Sequence, residues 1–137
     1  MILYGKVTKA HSAAIDYFAS QLLTPQLKSH IVVTVKFIKD LPVCGFTEVD
    51  GHNSKGKPRE FILEIQKNLN EKELLKTLAH EMCHVKQYAY GQLDEQGTKW
   101  LSRKYDHDNV PYNKRPWEKE AYKIEERLYK QWLQTKN

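Results

Sequence analysis

Two cysteines, Cys44 and Cys83, are too few for a disulfide framework in a chain of 137 residues. A reducing, cytoplasmic setting is the expectation that follows. Cys83 lies inside an apparently helical segment and reads as a small apolar packing residue. Long apolar runs are missing as well: none approaches the ~18 residues of a membrane span, so no membrane partner is expected. The first residues, MILYGKVTKAHS, have a short apolar stretch with no basic residues before it and no small-residue cleavage site, and no secretory signal is expected there. Blocks of one charge are missing too. The formal net charge of +5 comes from 22 Lys and Arg against 17 Asp and Glu scattered along the chain. A solvated basic surface is the ordinary reading of that balance; a nucleic-acid or acidic partner is the weaker one.

What is present suits a folded protein. Hydrophobic residues make up 40% and charged residues 28%, well away from disordered compositions. The length accommodates a single domain over residues 1–137 with a continuous core.

From Thr8 to Leu23, the residues Ala14, Tyr17, Phe18, Gln21 and Leu22 recur at mostly three-and-four spacing, and Pro25 follows. The pattern predicts an amphipathic helix with a stop signal. Ile31 to Ile38 is β-branched and nearly all apolar, which predicts an interior strand. Cys44–Asp50 and Glu60–Gln66 read as two further strands joined by the turn-rich segment GHNSKGKPR. Asn70 caps the best-signalled helix, with Glu71 and Glu73 in its first turn and Gly91 at its end. Asp94 to Tyr105 reads as another helix, followed by a polar loop to Arg115. The last helix starts at Pro116 and carries Trp117, Ala121, Ile124, Leu128 and Trp132 on one stripe. A helix, three strands and then helices predict an α+β fold.

The chemistry is concentrated in His80-Glu81-Met82-Cys83-His84, an HExxH sequence in the middle of the strongest helix. Residues four apart share a helical face, so both imidazoles can converge on one ion while Glu81 projects beside them. Two imidazoles, a carboxylate and an open position form a catalytic zinc arrangement. Zinc lowers the pKa of a water toward ~7, and a neighbouring carboxylate can take the proton as general base. A third ligand is needed. His11, His30 and His52 read as satisfied or solvated, and His107 is a possible ligand or donor. Glu118 and Glu120 flank the apolar stripe of the last helix about equally, so periodicity leaves both open.

The segment HEMCHVKQ resembles the HExxHVxQ form of several gluzincins, and WEKEAY resembles their later glutamate-bearing element. The resemblance covers about residues 70 to 130. It implies a minimal zincin core with an N-terminal helix, a three-stranded sheet, the HExxH helix and a C-terminal helix carrying the third ligand. That ligand would be Glu118, three before Ala121, with Glu120 as a neighbouring acid. Tyr122 stands where such proteins often have Asp or Asn supporting a zinc histidine, and a phenol there could serve the same end. HEMCHV followed by GTKW is also similar to SprT-like proteases, with Gln96 in place of their histidine. Small zincins of this kind are frequent in bacteria and phages.

The resemblance implies a zinc metallopeptidase acting on peptide or protein substrates, with His80, His84 and Glu118 on Zn2+ and Glu81 as base. Tyr105, His107, Tyr112 or Tyr122 could donate to the developing oxyanion. Two alternatives stand beside it: a DNA-associated SprT-like protease, and a nucleic-acid-binding protein with a vestigial zinc site. Retention of Glu81 speaks against the last, since a structural site needs no base.

Overall fold

The computed structural model describes residues 1–136. A short strand, β1 (Ile2–Tyr4), opens the chain. Gly5 then turns with φ 117°, at a point where a Cβ would run into the carbonyl oxygen of Val35. Thr8 caps helix α1 (Lys9–Leu22) by accepting the His11 amide at 3.1 Å. Thr24 and Pro25 open a single helical turn, α2 (Pro25–Lys28). The apolar run forms β2 (Val32–Ile38), followed by β3 (Gly45–His52), β4 (Pro58–Gln66) and the long helix α3 (Glu71–Ala89). A small hairpin of β5 (Lys99–Trp100) and β6 (Arg103–Lys104) and two 3-10 turns lead into α4 (Pro116–Gln134).

The first four strands make one mixed sheet in the order β1-β2-β4-β3. β1, β2 and β4 are parallel, with Val33 opposite Phe61 and Val35 opposite Leu63, and β3 runs antiparallel at the edge. Because strand side chains alternate, Ile31, Val33, Val35, Phe61, Leu63 and Ile65 all fall on one face and are buried. Helices α1 and α3 cover that face with Ile15, Phe18, Leu78, Met82 and Val85, and α4 closes over α3 with Leu128 and Trp132. Such side chains contribute roughly 1.5–3 kcal/mol each on full burial. The expected α+β class is what forms. Among the described residues no helix is long and apolar enough to cross a membrane.

The structure differs from expectation in two places. The sheet has four strands rather than three, because β1 is only three residues long and owes its conformation to pairing with β2, not to a pattern of its own. The segment from Asp94 to Tyr105 is a loop and hairpin, not a helix. The Asp94 carboxylate accepts the amides of Thr98 at 2.7 Å and Lys99 at 2.9 Å, and Gly97 sits at φ 69°, which together fold a tight turn. Leu101 and Ser102 then take φ 52° and 71° at the two-residue tip between β5 and β6, the left-handed pair that such hairpins require.

Candidate metal centre

Helix α3 is held at its start by reciprocal bonds. The Asn70 side chain accepts the Glu73 amide at 2.8 Å, and the Glu73 carboxylate accepts the Asn70 amide at 3.3 Å. With sheet on one side and α4 on the other, the helix buries polar residues along with apolar ones: His80, Glu81, His84 and Gln87 are each at most 7% exposed. Buried polar groups need partners, and those partners define the site.

The two imidazoles face each other nearly edge to face, with ring centroids 4.9 Å apart. Their outer nitrogens are both engaged. His80 Nδ1 lies 2.8 Å from Glu125 Oε1, and His84 Nδ1 lies 2.7 Å from Gln87 Oε1. The Gln87 amide nitrogen donates to the Trp117 carbonyl at 3.0 Å and to Glu120 at 3.1 Å, so its oxygen faces His84 and must receive a proton from it. Outer nitrogens that donate leave the inner Nε2 atoms free to present lone pairs.

Both inner nitrogens meet Glu118, from the first turn of α4. Glu118 Oε1 is 2.9 Å from His80 Nε2, and Oε2 is 3.1 Å from His84 Nε2. The second contact lacks hydrogen-bond alignment, so His84 Nε2 is a buried polar atom without a hydrogen bond. A cation between the two rings and the carboxylate would satisfy it, and the donor chemistry of the site fits that use.

The electrostatics agree. Burial disfavours charge on His80, yet its bonds to Glu118 and Glu125 outweigh this and raise its pKa to about 10. Burial would raise the Glu118 carboxyl, but the hydrogen bond to His80 and the close approach of the His84 ring bring it down to about 2. The surrounding carboxylates therefore favour positive charge at the imidazoles.

Glu81 is placed differently. Its carboxylate points to the edge strand, where Thr47 Oγ1 donates to Oε1 at 2.8 Å. Burial raises the Glu81 pKa above the ordinary carboxylate value, against the lowering effects of His84, His80 and Thr47. Gly45, two residues before Thr47 on the same strand face, permits this approach. A Cβ there would lie 2.7 Å from Thr77 Cγ2 and 3.0 Å from both Glu81 Cγ and Oε2. Gly45→Ala should accordingly destabilise the protein by about 1–3 kcal/mol in urea unfolding. A variant as stable as the parent would mean that Thr77 and Glu81 retreat freely.

The other sequence candidates are spread around this cluster. Glu120 turns away from the imidazoles, pairing with Lys86 at 2.8 Å and holding Gln87. Tyr122 presents its ring to His80 with centroids 4.7 Å apart and makes no hydrogen bond to it. The expected support from Tyr122 is thus supplied by Glu125, whose carboxylate reaches the nitrogen that the phenol does not. Tyr105 packs against Trp117, with centroids 5.2 Å apart, and His107 lies 3.2 Å from Asp108. His11 and His52 pair with Glu71 and Glu95, at 2.9 Å and 2.7 Å. Gln96 lines a groove beside the cluster.

That groove has two halves. One cavity of about 300 Å³ lies on the His80 side, and another of about 310 Å³ lies on the His84 side. Glu81 and Tyr112 line both, so Tyr112 stands over the centre of the groove. Burial, then the Glu118 and Glu81 carboxylates, push the Tyr112 phenol far up, which keeps it protonated.

Thr47, Gly45 and Glu125 are absent from the sequence reading. Glu125 had a legible signal, since it falls seven residues after Glu118 and two helical turns along the same face. Thr47 and Gly45 alternate on a strand, but nothing in their identity points at α3.

The fold and site together define an α+β protein whose buried His80, Glu81 and His84 offer donor atoms within 4.8 Å of one another, a group able to bind a metal ion. No protein-family model, curated protein or solved structure matches the chain.

Proposed function

We propose that the protein is a zinc-dependent peptidase in which His80, His84 and Glu118 hold the ion and Glu81 is the general base. The observation that carries this reading is one carboxylate resting against both inner imidazole nitrogens while a second, Glu81, is held by Thr47 with an oxygen within 4.8 Å of the imidazole donors. Two nitrogens and an oxygen suit zinc, and a site with three protein donors keeps a position open. When bound, the ion supplies Lewis-acid polarisation and acidifies a water at that position.

The chain's own residues do the rest. Thr47 holds Glu81 Oε1, leaving Oε2 to take a proton from the attacking water and later return it to the departing amine. Its raised pKa suits a group that must carry a proton between those steps. The Tyr112 phenol over the groove donates to the carbonyl oxygen as charge develops there. The outer edge of β3 pairs with no strand among the described residues, and an extended peptide can add to it with its backbone hydrogen bonds satisfied.

Purified protein should contain about one zinc per chain by elemental analysis. It should cleave unstructured peptides, lose that activity to a chelator and regain it with stoichiometric zinc. Full activity after complete metal removal would end the proposal, as would the absence of cleavage of a broad peptide library by zinc-loaded protein.

A further inference from the structure

We infer that the cavity on the His80 side is a subsite for a lysine or arginine side chain next to the scissile bond. The inference rests on the peptidase reading and names the class of substrate for that site. The cavity holds about 300 Å³, enough for one long side chain. Its rim is made by Val43, Tyr112 and Tyr122, which are 44%, 46% and 48% exposed. Deeper in, Thr77, Glu81 and Glu125 line it, and no lysine or arginine does.

Glu125 supplies the charge. Its Oε1 is occupied by His80 Nδ1, but Oε2 has no hydrogen-bond or ion-pair partner among the described residues, and the side chain is 15% exposed. With Glu81 and Glu118, three carboxylates surround the centre, so a divalent cation leaves one negative charge over. Lys76 is the cation that acts on Glu125, but its ammonium is engaged by Glu126 at 2.6 Å and does not line the cavity. The cavity on the His84 side is different, because Arg115 and His107 line it together with Glu95. The His80 half is lined by no lysine or arginine.

A lysine or arginine stem can lie along Val43 and the two tyrosine rings while its head reaches Glu125 Oε2, and a tyrosine face adds a cation–π contact. The net +5 of the chain opposes this weakly, since exposed charges beyond about 8 Å are screened at physiological salt.

The test compares N-acetyl hydroxamates of lysine, arginine, leucine and glutamate binding to zinc-loaded protein by calorimetry, alongside cleavage of peptides that differ at one residue beside the scissile bond. Lysine and arginine should exceed leucine by about tenfold in affinity and in kcat/KM, with glutamate weakest. Glu125→Gln retains an oxygen for His80 Nδ1 and should bring the lysine-to-leucine ratio close to one, a ratio that general loss of activity does not move. Val43→Lys, at the rim and away from the imidazoles, should lower the same ratio if Glu125→Gln loses its metal. Leucine matching or exceeding lysine in both assays would overturn the subsite while leaving a cleaving enzyme intact. A lysine preference in binding with no cleavage of any peptide would support the subsite and defeat the peptidase reading.

Discussion

Glu81→Gln should keep zinc and fold while losing turnover by about 10²–10⁴-fold or more. The amide preserves the volume beside Gly45, and its oxygen can still accept the Thr47 hydroxyl bond now made at 2.8 Å to Oε1. It cannot take a proton at neutral pH. Elemental analysis and thermal unfolding of the variant should match the parent, and kcat should fall with little change in KM, because the lost interaction belongs to the transition state. A variant that hydrolyses peptides at the parental rate would require a different base. A variant that also loses zinc would move Glu81 into the ligand set.

The second large effect separates two acids on one helix. Glu118→Ala should lose most zinc affinity, because it removes the carboxylate that lies within 3.1 Å of both inner nitrogens. Glu120→Ala should weaken zinc by about 10- to 100-fold at most, since Glu120 acts on the centre only by holding Gln87, which in turn orients His84. Competition titrations against a chromophoric chelator measure both. If Glu120→Ala proved the more damaging change, the ligand assignment would reverse.

These two acids also show how far the sequence could be read. The HExxH helix was legible from its cap at Asn70 to its end, because hydrophobic period, capping residues and motif agree over a long segment. The last helix was legible in extent but not in rotation. A stripe drawn through Trp117, Ala121, Ile124 and Leu128 leaves Glu118 and Glu120 symmetrical. The packed helix instead buries Glu118 at 3% exposure together with Ala121 and Leu128, and so turns Glu125 inward too. That rotation comes from docking on α3, which no local pattern encodes. The residues from Asp94 to Tyr105 differ from the expected helix for a related reason. Their shape depends on an aspartate side chain folding back on the backbone, and helical spacing of apolar residues is a poor guide where turn chemistry competes. Thr47 and β1 are the plainest cases of tertiary information, since each is defined by what lies across from it.

His80 and Glu118 stand 38 residues apart in the chain yet meet in one contact. A chain made from its N-terminus presents the sheet, α1 and the whole HExxH helix before the first turn of α4 exists. On the proposed reading, a nascent or truncated chain ending before Pro116 would carry both imidazoles and the base but not the residue that completes the set. Closing a loop of that length has an entropic cost recovered only once Trp117, Leu128 and Trp132 dock, so hydrolytic competence would appear late in folding. The order of synthesis would itself delay proteolysis until the protein's own backbone is folded and protected from it.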